Sequence, residues 1–435
     1  MNLQGRTALV VGLGKSGVAA ARLLSTKGAR VVAADDKEVP LPEGVGELRR
    51  VLPEALRGVD LVVASPGVPL SLPLFTQARA AGLPVWGEVE LASRFIEEPI
   101  LGITGTNGKS TTTALCGHLL ATAGKRVFVG GNLGNALSNR VLSGEKLDAT
   151  VCELSSYQLE GIETLRCSAA TVLNVTPDHL DRYPSLDAYA KAKERIFENQ
   201  RPGDNAIVNL ADPRVAAMRT KPGVQRRDFD PRGPSPADGS RPSPGKLRVG
   251  GALLELRVAT LRGSHNVENA LAACLLARQL RVEADALQRG LDTYPGLPHR
   301  LEPVRLLHGV EWINDSKATN VDSVEKSLSA FERGVILIMG GRGKGAPYAP
   351  LRPLLKGRVK AILTIGEDAD RLAAELGDAA PVTACGDLPA AVGVARSVAS
   401  AGDTVLLSPA CASYDQFKNF EDRGDQFKAL VRGLA

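Results

Sequence analysis

Residues 105–112 read Gly-Thr-Asn-Gly-Lys-Ser-Thr-Thr, directly after the apolar run 100–104 and ahead of an Ala/Leu-rich stretch. In a strand–loop–helix setting, Gly105, Thr106, Asn107, Gly108 and Thr111 offer backbone amides to phosphate oxygens. Lys109 adds a cation and Ser110 a hydroxyl for Mg²⁺, which is the chemistry of an ATP site. A strict P-loop has glycine five residues before Gly108, where this chain has Ile103, so the loop is a variant. A second glycine loop, Gly12-Leu13-Gly14-Lys15-Ser16-Gly17, fits G-x-G-x-x-G, and Asp35 and Asp36 end the next apolar run. Glycines there let the backbone approach a diphosphate at a helix N-terminus. NAD is one such ligand, but any nucleoside diphosphate satisfies the same physics. Ser65-Pro66-Gly67 ends a later strand of that sheet and lines the same crevice. Hydride transfer needs a single dinucleotide site. Two phosphate loops fit an enzyme that uses ATP on a substrate carrying its own nucleotide.

Other polar residues fall where strands end. Glu153 and His179 close two predicted strands, and with Ser110 they could surround Mg²⁺. Taken alone, Glu153 is a surface turn acid and His179 a helix cap. Lys193, beside Glu194 and Arg195, reads on its own as a solvated helix lysine. Asn266 and Asn269 lie three apart on one helical face, able to read a base edge, fix phosphate oxygens or cap the helix. Arg300 sits at a predicted domain junction. Asp315, Lys317 and Thr319 fall in the polar cluster 314–320, and Lys344 lies in the glycine loop 340–345. The segment 407–420, with Ser413 and Phe420, has the polar density of a ligand loop.

Alternating β-rich and Ala/Leu-rich runs position these groups, the pattern of parallel α/β sheets. Strands are expected at 6–11, 30–34, 61–65, 84–86, 100–104, 126–129, 149–154, 169–175 and 205–210. Helices are expected at 17–27, 73–81, 109–123, 186–199 and 266–280. A hairpin of 301–306 and 310–314 precedes strands at 335–339, 361–365 and 404–407. The Pro/Ser/Gly stretch 230–245 reads as a surface loop inside the middle domain. The expected fold is α/β with three domains: 1–96 Rossmann-like, 97–297 a P-loop-type ATPase domain with a parallel sheet, and 298–435 Rossmann-like again. The length of 435 residues agrees with that number at roughly 150 per domain.

Composition excludes other classes. With 44% hydrophobic and 23% charged residues the chain is globular rather than disordered. A net charge of +5 and 4% aromatics argue against nucleic-acid binding, by charge or by stacking. No apolar run approaches the ~18–20 residues of a membrane span, so no membrane insertion is expected. Six scattered cysteines without metal-ligand spacing read as free thiols of a cytoplasmic protein.

Together these segments resemble the Mur ligases of bacterial cell-wall synthesis over essentially the whole chain. The Gly-Thr-Asn-Gly-Lys-Ser-Thr-Thr loop is a hallmark shared with folylpolyglutamate synthetases, but the opening glycine loop with Ser65-Pro66-Gly67 disfavours that branch. Residues 315–320 (Asp-Ser-Lys-Ala-Thr-Asn) and 408–420 look like the branch that adds D-glutamate. The resemblance implies ATP-driven amide formation between UDP-N-acetylmuramoyl-L-alanine and D-glutamate through an acyl phosphate, in a monomer. It implies catalytic roles for Lys109, Glu153, His179 and Lys193. One Mg²⁺ would lie on Ser110 and Glu153, and a second on His179 and a carbamylated Lys193. Asn266, Asn269, Arg300, Asp315 and Lys317 would join residues 105–111 around ATP. Gly14, Ser16, Asp35, Asp36, Lys37, Ser65, Gly67 and Asn132 would bind the UDP-sugar; His179, Thr319, Lys344, Ser413 and Phe420 would bind D-glutamate. Lys15, Asp36 and Tyr414 depart from the family pattern and blur individual contacts. The alternatives are a Mur ligase with another acceptor, a nucleotide-sugar dehydrogenase using NAD, and a non-catalytic nucleotide switch.

Overall fold

Runs such as Leu61–Ala64 and Ile100–Thr104 are buried at every position, as strands of a sheet covered by helices on both faces must be. The computed structural model describes residues 1–132, 134–178 and 182–435. The first sheet contains β1 (Thr7–Val11), β2 (Arg30–Ala34), β3 (Val45–Arg49), β4 (Leu61–Ala64) and β5 (Val85–Gly87). Its order is β3-β2-β1-β4-β5 with every pair parallel. The chain leaves β1 on one side and returns on the other, so the crevice of a doubly wound sheet opens between the ends of β1 and β4.

The second sheet contains β6 (Ile100–Thr104), β7 (Val127–Gly131), β8 (Ala149–Glu153), β9 (Ala169–Val172), β10 (Asn205–Asn209), β11 (Gln225–Asp230), β12 (Gly239–Ser243), β13 (Lys246–Val249) and β14 (Ala252–Glu255). Its order is β14-β13-β12-β11-β10-β9-β6-β8-β7, with only the pairs β12–β13 and β13–β14 antiparallel. The loop expected over 230–245 is corrected here, because β12 lies within it. Pro242 falls at a register shift between Ser240 and Ser243, where the ladder does not require its missing N–H. The helix expected over 186–199 ends at Glu194 and tightens into a 3₁₀ turn, Arg195–Phe197.

The third sheet contains β15 (Glu302–Leu307), β16 (Val310–Asn314), β17 (Val335–Gly340), β18 (Val359–Ile365), β19 (Val382–Gly386) and β20 (Thr404–Leu407), in the order β15-β16-β20-β17-β18-β19. The expected hairpin is β15–β16, and the remaining pairs are parallel.

Residues 1–256 and 267–293 form one compact unit; residues 257–266 and 294–435 form another. Within the first unit, a clasp after β5 joins the first two sheets. Gly87 N–H donates to Gly161 O, and Ser138 N–H donates to Glu88 Oε1 at 2.6 Å. The fully buried Glu90 accepts from the successive amides of Glu163, Thr164 and Leu165, from the Thr164 hydroxyl and from Arg94. Charge-assisted bonds of this kind are stronger than neutral ones. Among the described residues, no helix is long and apolar enough to cross a membrane.

Candidate active site

The first glycine loop closes on itself. Gly12 has φ +86°, and a Cβ on Gly17 would lie 1.9 Å from Gly12 O, so only glycine lets the helix Lys15–Thr26 start so close to β1. Gly14 caps that helix in an extended conformation, with Ser16 half-buried in its first turn. Asp35 Oδ2 accepts Leu13 N–H at 2.8 Å and Oδ1 accepts Lys37 N–H at 3.0 Å. The Leu13 amide in particular holds the Asp35 carboxyl below its usual range. Asp36 accepts Val51 N–H at 3.2 Å, Ser65 Oγ donates to Gly12 O at 2.7 Å, and Lys37 and Gly67 are exposed. Gly14, Ser16, Asp35, Asp36, Lys37, Ser65 and Gly67 thus all border the crevice at the ends of β1, β2 and β4.

The second loop draws its charged groups out of solvent: Glu153 and Lys193 are buried and Lys109 is half-buried. Gly108, at φ +83°, caps the helix Lys109–Thr122, which points the amides of its first turn, including those of Ser110 and Thr111, toward the loop. Lys109 Nζ donates to Gly105 O at 3.0 Å and to Thr106 O at 2.9 Å. Lys193 Nζ donates to the same Gly105 O at 2.9 Å and sits 4.3 Å from the Tyr189 ring centroid. The solvated-lysine reading of Lys193 is therefore corrected, since the residue is 1% exposed. Burial, and next the charge of Lys109, lowers its pKa from 10.5 to about 7. The turn-acid reading of Glu153 is corrected as well. Its side chain is buried at the end of β8; Oε1 accepts Asn132 Nδ2 at 2.8 Å, while Oε2 has no hydrogen-bond partner among the described residues. Asn132, expected on the UDP-sugar, is thus built onto Glu153.

Parallel registry explains this convergence. Ile103 pairs with Glu153 on β8, and Thr104 pairs with Val172 on β9, so Gly105, Glu153 and Asn174 emerge side by side. Thr106 N–H donates to Asn174 O, and Asn107 N–H to Asn174 Oδ1. Thr176 N–H donates to Thr106 Oγ1 at 3.1 Å, and Asp212 accepts Val175 N–H at 2.7 Å. Asn269 Oδ1 accepts the Thr112 hydroxyl, and a Cβ on Gly108 would lie 2.2 Å from it. His179 lies outside the described residues. Asn174, Thr176, Tyr189, Asp212 and Glu268 were not assigned roles from sequence; the signal for Asn174 is its place at the end of the strand expected over 169–175, and for Glu268 its place between Asn266 and Asn269.

The second unit gathers the remaining candidates at the ends of β16, β17 and β20. Asp315 is buried, accepting from Leu301 N–H and from the hydroxyls of Ser327 and Ser408; burial pushes its pKa up to about 6. Its carboxylate supports three chain segments rather than facing solvent. Arg300 is exposed between His299 and Leu301, which both have positive φ. Asn266 is buried, with Nδ2 donating to Arg262 O. Lys317 Nζ sits 5.7 Å from the Phe420 ring centroid, and Ser316 Oγ donates to Phe420 O. Ser413 is buried, Thr319 half-buried and Lys344 exposed. The fully buried Arg423 donates to Ser316 O, Cys411 O and Gly340 O, tying together the loops that carry Thr319, Ser413 and Lys344.

The residues present fit a hard divalent cation, because the buried Glu153 Oε2 lacks a partner beside a hydroxyl-bearing helix start. Among the described residues, no three His, Cys, Asp or Glu side chains could hold a metal by themselves.

Comparison with known proteins agrees along the chain. Family profiles described as the Mur ligase MurD-like N-terminal domain, the Mur ligase middle domain, and the Mur ligase glutamate ligase domain match residues 6–87, 103–277 and 299–411. The UDP-N-acetylmuramoylalanine–D-glutamate ligase of Anaeromyxobacter dehalogenans is 56% identical over 99% of this chain and 98% of its own length. The ligase of the same name from Myxococcus xanthus is 54% identical over 99% of both chains. Among solved structures, the UDP-N-acetylmuramate–alanine ligase MurC of Thermotoga maritima shares the fold with a TM-score of 0.61 at 19% identity, covering 98% of this chain and 99% of its own. MurF of Acinetobacter baumannii also has a TM-score of 0.61, at 17% identity, covering 98% of this chain and 91% of its own. With profiles of one family along all three sheets and relatives identical at more than half of the aligned positions, the chain belongs to the Mur ligase family.

Proposed function

We propose that the protein joins D-glutamate to UDP-N-acetylmuramoyl-L-alanine in peptidoglycan precursor synthesis, using ATP. The observation that carries this reading is the second loop, where Lys109 and Lys193 converge on Gly105 O near the unpartnered Glu153 Oε2. The substrate carboxylate attacks the γ-phosphate and displaces ADP, giving an acyl phosphate. The amine of D-glutamate then attacks the acyl carbon, loses a proton and displaces phosphate. Such phosphoryl transfer depends on positioning and charge neutralisation. Lys109 turns from its loop carbonyls to the phosphates, with the amides of Ser110 and Thr111 behind them. Glu153 and Ser110 would hold Mg²⁺, which neutralises phosphate charge when bound.

Carbamylation of Lys193 requires a neutral amine. A buried lysine next to another lysine meets that condition, with its pKa lowered to about 7. The amine attacks CO₂, loses a proton and becomes a carboxylate able to hold a second Mg²⁺ together with His179. Gly14, Ser16, Asp35 and Ser65 border the crevice for the UDP moiety. Thr319, Lys344, Ser413 and Phe420 would take D-glutamate, with Lys344 pairing a carboxylate. Five cysteines are buried and all six are free, which supports a cytoplasmic setting. A nicotinamide dehydrogenase would leave the second loop without a task.

The test is phosphate release. Protein, Mg²⁺, ATP and UDP-N-acetylmuramoyl-L-alanine should release phosphate when D-glutamate is added, and do little with L-glutamate or meso-diaminopimelate. Equal stimulation by L-alanine or a diamino acid would reassign the acceptor.

A further inference from the structure

The second loop is braced from behind Asn174. Asn174, two residues beyond β9, bonds Asn107 through both ends of its amide: Oδ1 accepts Asn107 N–H at 2.8 Å, and Nδ2 reaches Asn107 O at 3.3 Å. An asparagine amide can turn over, and the reversed orientation would set an NH₂ group against the Asn107 N–H. Glu268 prevents this. Its Oε1 accepts Asn174 Nδ2 at 2.6 Å, and an ionised carboxylate only accepts hydrogen bonds. The NH₂ must face Glu268, so Oδ1 must face Asn107.

Glu268 lies on the helix Ser264–Arg278, immediately before Asn269. Successive helical residues point about 100° apart, and the two side chains reach different parts of the loop. Asn269 bonds Thr112 and packs over Gly108, while Glu268 acts on Asn107 through Asn174. Asn107 precedes the αL residue Gly108, whose φ of +83° starts the helix bearing Lys109. Fixing Asn107 therefore fixes the direction in which the next amides and Lys109 leave the loop.

We infer that Glu268 is a positioning residue for the phosphate loop, acting through the amide orientation of Asn174. This rests on the reading that residues 105–111 hold ATP. Calorimetry of the full chain with Mg²⁺ and a non-hydrolysable ATP analogue tests both, and separately. Wild-type protein that fails to bind the analogue overturns the ATP reading itself. Given wild-type binding, Glu268→Ala should weaken the analogue roughly ten-fold, the size expected of one charge-assisted bond. It should leave UDP-N-acetylmuramoyl-L-alanine affinity unchanged. Glu268→Gln, whose carbonyl can still accept from Asn174, should stay within about three-fold of wild type on the same scale. Alanine is the best helix former, so Glu268→Ala keeps the helix.

The decisive arm is a double-mutant cycle. In an Asn174→Ala background, the effect of Glu268→Ala should fall to less than half of its size in the wild type. A full additional loss there, an Ala variant equal to wild type, or a Gln variant as impaired as Ala, each overturns the relay. In turnover, the change should fall on KM for ATP and spare KM for D-glutamate.

Discussion

Two glycine loops follow the first strands of two largely parallel sheets in one compact unit, and they differ in what surrounds them. Around residues 12–17 the lysines Lys15 and Lys37 are exposed, Ser65 reaches Gly12 O, and Asp35 takes the Leu13 amide. At residues 105–112 two lysines share one carbonyl beside a buried carboxylate oxygen that has no partner. A loop whose charges face solvent can hold a ligand. One that gathers two cations and a buried carboxylate can also stabilise charge that moves during a reaction. The contrast teaches that the glycine pattern marks where phosphate fits, while the groups brought by the next strands decide between holding and reacting.

The largest effect should come from Lys109→Ala. Turnover should fall by about 100- to 1000-fold, with calorimetric affinity for the UDP-substrate nearly intact. Equal loss at both ligands would erase the division of labour between the loops. Lys193→Ala should follow, with a loss of roughly 100-fold partly restored by short carboxylic acids that replace the missing carboxylate. Near wild-type activity without rescue would return Lys193 to a packing role.

Paired glycine variants sharpen the comparison further. Gly108→Ala meets Asn269 and a φ of +83°, which costs about 1–2 kcal/mol of strain and should weaken ATP selectively. Gly17→Ala meets Gly12 O at 1.9 Å; overpacking of about 1–3 kcal/mol should weaken the UDP-substrate instead. Competitive titrations with each nucleotide read out the two losses, and the opposite pairing would reverse the assignment of the loops.

The smallest effect concerns pH. The Asp35 carboxyl is held below 3.8 by the Leu13 amide, so its contribution is complete above the unfolded value and fades as pH falls through the lower folded one. Asp35→Asn should lower the melting temperature slightly at pH 7 and flatten its decline below about pH 4, so that variant and wild type converge in acid. A steeper acid decline in the variant would contradict this sign.

Much of this was legible in the chain because each loop interrupts an apolar run with glycines at fixed spacing. Gly12, Gly17 and Gly108 all sit where a side chain would collide. The strands Thr7–Val11 and Ile100–Thr104 stand out because burial on both faces leaves them mostly apolar. The exposed edge strand Val45–Arg49 has no such signature and escaped notice. Lys193 and Glu153 were misread when taken alone, because burial belongs to the neighbours and not to the residue. Only the register that brings β6 beside β8 and β9 shows that these polar groups face inward. Glu268 was hidden for a related reason: its partner lies 94 positions away.

The clasp at Glu90 has a consequence for length. Three amides of the second sheet's domain close on one carboxylate from the first, which restricts how far the Gly12 loop can move from the Gly105 loop. On the proposed function, a substrate gripped by its diphosphate at one loop and presenting a carboxylate at the other would be measured against that span, as against a gauge. One bond too few would leave the carboxylate short of the phosphate it must attack, and one too many would buckle it past. Substrate choice by reach would then be settled before the acceptor amino acid arrives.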